Sequence, residues 1–135
     1  MAAKTYRLKV LSAYGVFFDG ECVQTILPCE DGTRGILARH EDCVISVVPG
    51  PLRIQLPDET ELLAVITGGY AAIDNGALTM IVDTAERPED IDERRAQEAA
   101  DRAAEALKRQ QSKVEYEQTK ASLARAMARL KVKNM

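Results

Sequence analysis

The chain has 135 residues, 46% of them hydrophobic and 29% charged, with a formal net charge of −3. That length suits one ordinary domain, or a small domain with an appendage. Residues 1–84 carry a net −5 and residues 85–135 a net +2, which is not the clustered basic face a nucleic-acid partner requires. Cys22, Cys29 and Cys43 have no Cys-x-x-Cys spacing and His40 is the one histidine, so they cannot assemble a metal cluster. They read as reduced, half-buried thiols. No signal-peptide pattern opens the chain. The longest apolar stretch, Leu62–Ile73, is broken by Gly68-Gly69 and falls short of the ~20 residues a membrane helix needs.

Tyr6–Val10 alternates apolar and polar residues, the period of a half-buried strand. Val23–Leu27 is a second strand candidate, closed by Pro28. Asp31-Gly32 marks a turn before the short run Gly35–Leu37, and His40 falls on an exposed loop. Val44–Val48 stops at Pro49-Gly50-Pro51, and Leu52–Leu56 alternates again until Pro57-Asp58. Leu62–Ile66 is continuously apolar, as in a strand buried on both faces. Tyr70–Ile73 and Leu78–Val82 flank Asn75-Gly76, a pair that tolerates positive φ and suits a type I′ hairpin. Many short strands with closely spaced turn signals predict a β-sandwich or barrel over residues 1–84. This part has no Gly-rich phosphate loop, nucleophile elbow or Ser/His/Asp set, so an enzyme is not expected.

There is no glycine after Gly76 and no proline after Pro88; residues 85–135 are rich in Ala, Arg, Glu and Lys. Asp90 and Glu93 have N-cap and N3 spacing for a first helix, and Ser112-Lys113-Val114-Glu115 is a capping box for a second. Glu98 with Arg102, and Glu105 with Arg109, stand at favourable i,i+4 spacing. A turn around 110–113 would make an antiparallel helical hairpin. No Gly or Pro enforces it, and one continuous helix fits the same residues. At about 100° per residue, Ala96, Ala99, Ala100, Ala103, Ala106 and Leu107 share one stripe of the first helix. Ala121, Ala124 and Ala128 form a stripe on the second, expected to face the first. Leu123, Met127 and Leu130 form another, expected to pack on the sandwich.

Folding the hairpin brings Asp92 and Arg95 within reach of Arg125 and Arg129. Gathered guanidinium groups repel one another unless an anion sits among them. The planar fork of arginine donates two parallel hydrogen bonds and so suits phosphate.

Across nearly all of its length the chain resembles the epsilon subunits of bacterial F-type ATP synthases. The resemblance rests on Tyr6–Val10, Phe17-Phe18-Asp19-Gly20-Glu21 (a turn), Asp31–Leu37, Pro49–Ile54, Gly68-Gly69, Asp83–Glu86 and Arg125–Leu130, in that order and spacing. It implies a sandwich of about ten strands followed by an α-helical hairpin. It implies a non-catalytic rotor subunit that binds the gamma subunit and the c-ring at the cytoplasmic face of the bacterial plasma membrane. The helices would also extend along gamma to meet the beta and alpha subunits of the catalytic head and block ATP hydrolysis. Ile91-Asp92-Glu93-Arg94-Arg95-Ala96 fits the Ile/Leu-Asp-x-x-Arg-Ala motif by which some members bind ATP. By that resemblance Glu86, Ile91, Asp92 and Ala96 would hold the adenine and ribose, and Arg95, Arg102, Arg125 and Arg129 the phosphates. ATP, with or without Mg, is then a regulatory ligand. The alternative is a free-standing adaptor whose helices zip onto another coiled coil, but the Leu-rich heptad seam this needs is missing.

Overall fold

The computed structural model describes residues 4–109 and 112–135. Ten strands come first: β1 Tyr6–Ser12, β2 Gly15–Cys22, β3 Gln24–Cys29, β4 Gly32–Leu37, β5 Cys43–Val47, β6 Gly50–Gln55, β7 Glu61–Ile66, β8 Gly69–Asp74, β9 Ala77–Val82 and β10 Ala85–Glu86. A short 3-10 turn at Pro88–Asp90 leads to helices α1, Glu93–Leu107, and α2, Lys113–Lys133. The strands form two five-stranded sheets, ordered β2-β1-β9-β8-β5 and β10-β7-β6-β3-β4. Neighbours are antiparallel except β1 and β9.

Alternation does what it predicts in β1, where Tyr6, Leu8 and Val10 point into the core and Arg7 and Lys9 point out. The core between the sheets is built from large aliphatic side chains, among them Leu8, Leu27, Leu52, Ile54, Ile66, Leu78 and Met80, all essentially buried. Its one polar knot is satisfied internally. The Tyr6 hydroxyl donates to the Ile36 carbonyl at 2.9 Å and lies 2.7 Å from Thr25 Oγ1. Burial pushes the Tyr6 phenol well above its ordinary range. Asn75 at φ 55° and Gly76 at φ 82° make the tight turn between β8 and β9. Cys22 and Cys29 are buried thiols, Cys43 is half-buried, and all three are free.

Two strand expectations change, and one on a loop. Phe17–Glu21 is not a turn but the body of β2. Its pairing with β1 jumps from Phe18 to Val16, a bulge that breaks the period-2 signal on an edge strand. Pro28 lies inside β3 rather than closing it. β3 pairs with β6 only over Gln24–Ile26, so the missing N–H of Pro28 falls beyond that ladder. His40 is half-buried rather than exposed, and its Nδ1 donates to the Glu41 carbonyl at 2.9 Å.

The first helix starts later than its sequence suggests. Pro88–Asp90 close a 3-10 turn, with Ile91 N–H donating to the Pro88 carbonyl at 3.2 Å. Ile91 then runs extended and is buried against Val65, so Asp90 cannot cap α1. Asp92 caps it instead, its Oδ1 accepting from Arg95 N–H at 3.0 Å. Ser112 caps α2 as expected, accepting from Glu115 N–H at 3.2 Å. Of the expected i,i+4 pairs, Glu98 joins Arg94 and Glu105 approaches Lys108 instead. The turn expected around 110–113 lies partly outside the described residues.

The faces of α2 also differ from the expectation. Leu123, Ala126 and Leu130 meet Ala96, Ala99 and Ala100 of α1. Ala128 and Val132 pack on Val65, Leu63 and Ile91. At about 100° per residue these two sets lie on roughly opposite sides of α2. The helix is clasped between α1 and the sandwich, which is why it shows no single apolar stripe. Met127, Ala121 and Ala124 are left exposed. The packing explains the apolar run in β7: Ala64 and Ile66 face the core between the sheets, Val65 faces α2, and the strand is buried on both sides.

Candidate functional site

Three pieces of chain converge beside the last strand. β10 pairs with β7 and presents Glu86 at the edge of the second sheet. The start of α1 follows, with Asp92, Arg95 and Ala96. The C-terminal half of α2 lies across both, held by the buried Val132 and by Lys133 Nζ, which donates to the Pro88 carbonyl at 3.0 Å.

Arg129 links the pieces. Its Nε and Nη2 both donate to Glu86 Oε1, at 2.9 and 2.8 Å, and Nη2 also reaches Thr84 Oγ1 at 3.3 Å. Both charged side chains are about a quarter exposed, so the pair is screened less than an open surface bridge. Arg125 Nη2 donates to Ser122 Oγ at 3.0 Å, one turn back on its own helix. Among the described residues, Arg129 alone of Arg95, Arg102, Arg125 and Arg129 has a carboxylate partner.

Two adjoining cavities open here. One, of about 520 Å³, is lined by Thr84, Glu86, Asp92, Arg95, Ala96, Arg102 and Arg129, with Tyr14, Ala85, Asp90, Ala99 and Ala126 completing the wall. The other, of about 420 Å³, runs between the helices past Arg102, Ser122, Arg125 and Arg129. Ala99, Arg102, Ala126 and Arg129 belong to both. Of the residues singled out in the sequence, Glu86, Asp92, Arg95, Ala96, Arg102 and Arg129 share the larger cavity, and Arg125 enters through the smaller one. Ile91 is set apart: its side chain is buried beneath α2 and lines neither cavity. Tyr14, Thr84 and Ser122 were missed. They come from a hairpin tip, a strand connection and the flank of a helix, and their spacing in the sequence marks none of them as a ligand contact.

The donor set defines what such a place can hold. Arginines reach it from both helices, small alanines leave room between them, and Glu86, Asp90 and Asp92 join the lining of the larger cavity. An anionic ligand with a polar, uncharged end fits that distribution. Among the described residues, no group of three or more His, Cys, Asp or Glu side chains is placed to hold a metal ion.

A family model described as the ATP synthase delta/epsilon chain β-sandwich domain matches residues 5–88. A second, described as the long α-helix domain of the same chains, matches residues 89–134. The chain belongs to the ATP synthase delta/epsilon family. It is 43% identical to the ATP synthase epsilon chain of Ruminiclostridium cellulolyticum over 130 residues, covering 96% of each chain. It is 36% identical to the epsilon chain of Nitrosococcus oceani, covering 96% of this chain and 92% of that one. The fold recurs in the Euglena gracilis mitochondrial ATP synthase, solved with OSCP, F1 and c-ring, at TM-score 0.79 and 21% identity, covering 92% of this chain and 78% of that one. It recurs in the central stalk/c-ring structure of the Tetrahymena thermophila mitochondrial enzyme at TM-score 0.72 and 13% identity, covering 98% of this chain and 99% of that one. The chain is thus an epsilon-type, non-catalytic component of the synthase, a membrane-associated complex. Among the described residues, no helix is long and apolar enough to cross a membrane.

Proposed function

We propose that this chain is the regulatory epsilon subunit of the central rotor, joining gamma to the c-ring at the cytoplasmic face of the bacterial plasma membrane. In this reading the two helices form a switch. Folded against the sandwich they permit ATP hydrolysis. Extended along gamma they meet the beta and alpha subunits of the catalytic head and inhibit it. ATP, with or without Mg, is the ligand of the folded form.

One observation supports the reading: Arg95 and Arg102 of α1 and Arg125 and Arg129 of α2 line two adjoining cavities, with Arg102 and Arg129 common to both, only because α2 lies folded back on α1 and β10. A polyphosphate held by both helices therefore favours the folded form. At a hundred times its Kd, a ligand specific to one form stabilises it by about 2.7 kcal/mol. The folded form rests on small alanine contacts, with Leu123, Leu130, Ile91 and Val132 as the larger anchors. A shift of that size is enough to move such an equilibrium when the two forms are close in energy. When bound, the nucleotide supplies the anionic charge that offsets the crowded arginines. Arg129 is held in place by Glu86 and Thr84, and Asp92 secures the start of α1. Calorimetric titration of the chain with ATP tests the reading. Saturable binding is expected, and no heat of binding at millimolar ATP would overturn it.

A further inference from the structure

The lining of the larger cavity includes one aromatic residue that belongs to no motif. Tyr14 is the one aromatic side chain among the residues lining it. It is 88% exposed and so contributes almost nothing to the core. Its backbone, by contrast, is fixed. Tyr14 N–H donates to Ser12 Oγ at 3.2 Å, and the neighbouring Ala13 N–H donates to the Asp83 carbonyl at 3.2 Å. Gly15, at φ +124°, completes the turn into β2 in a conformation few other residues adopt. The hairpin tip is thus pinned to the chain just ahead of Thr84 and Glu86, beside the larger cavity.

The cavity has a direction. Its wall shared with the interhelical hollow carries Arg102 and Arg129, with Arg125 beyond. The part not shared carries Tyr14 with Glu86, Asp90, Asp92 and Arg95, and there Glu86 is already engaged by Arg129. Carboxylates repel phosphate but accept hydrogen bonds from amines and hydroxyls. A nucleotide lying here places its phosphates toward the shared arginines and its base toward Tyr14.

We propose that Tyr14 is the stacking platform for the base of the nucleotide in this cavity. The proposal rests on the nucleotide reading above and adds to it a residue that reads the base. Every base has a π-face, so the ring distinguishes a nucleotide from a bare polyphosphate rather than one base from another. Tyrosine offers this surface at low cost in side-chain freedom.

The test is calorimetric titration of the full chain and of Tyr14→Ala and Tyr14→Phe with ATP and, separately, with inorganic tripolyphosphate. Tyr14→Ala is expected to weaken ATP binding by about fivefold or more, the low end for base–aromatic stacking. Tyr14→Phe keeps ATP affinity within about twofold, because the ring and not the hydroxyl makes the contact. Tripolyphosphate binds all three forms alike. Unchanged ATP affinity in Tyr14→Ala overturns the assignment while leaving the nucleotide site standing. An equal loss of ATP and tripolyphosphate overturns it too, because the residue then acts through the shape of the site. Failure of the unaltered chain to bind ATP removes the nucleotide reading and the platform with it. Unchanged thermal unfolding of Tyr14→Ala checks that the fold is intact.

Discussion

The sandwich and the helical pair are held together by different materials. Between the sheets, leucines, isoleucines, valines and Met80 interlock in a continuous core. Between the helices the buried residues are mainly alanines, Ala96, Ala100 and Ala126, with Leu130 as the large one. Full burial of a leucine or methionine is worth about 1.5–3 kcal/mol, whereas an alanine methyl offers only a small part of that area. What the helices gain from small side chains is close approach and a hollow between them. The contrast is what the proposed switch requires.

Four measurements bear on that contrast, beginning with the largest effect. Leu52→Ala in the sandwich core is expected to cost about 2–5 kcal/mol in denaturant unfolding, through lost burial and a residual cavity. A smaller loss would mean that the core is less decisive than its burial suggests. A chain ending at Pro88 is expected to unfold cooperatively still. The lost cover over Val65 and Leu63 should cost it about 1.5–3 kcal/mol. A truncated chain without a cooperative transition would show that the helices are part of one folding unit. Arg125→Ala and Arg129→Ala are each expected to weaken ATP binding by about 1.5–3 kcal/mol, the size of a charge-assisted hydrogen bond. If the double variant still binds like the parent, the phosphates do not lie among these arginines. Ser112→Ala removes the cap of α2 and is expected to cost about 1 kcal/mol. Hydrogen exchange should show that loss in the helices and not in the strands.

Much of the sandwich was legible because its signals are local. β1 and β6 alternate, β7 is an unbroken apolar run, and Asn75-Gly76 names its own turn. β2 was not read because the bulge at Phe17 breaks the alternation of an edge strand. The site was legible in a different way. Helical spacing put its arginines and Asp92 within reach of one another once a hairpin was assumed, whereas what Ile91 packs on could not be read from spacing. Ile91 belongs to the seam beneath α2 because β7 turns Val65 outward at that point.

The sequence by itself determined the two kinds of structure, the identity of the cap of α2 and the spacing of the arginines along each helix. These depend on neighbours within a few residues, where φ/ψ preference and helical period act directly. Tertiary structure alone decided which side of α2 meets which partner, that Glu86 takes Arg129, and that Tyr14 joins the lining of the larger cavity. In the first case two apolar half-faces on opposite sides of one helix leave no net direction to read. In the other two the contacts join residues far apart in the chain, and only the packing of α2 against α1 and the sandwich brings them together.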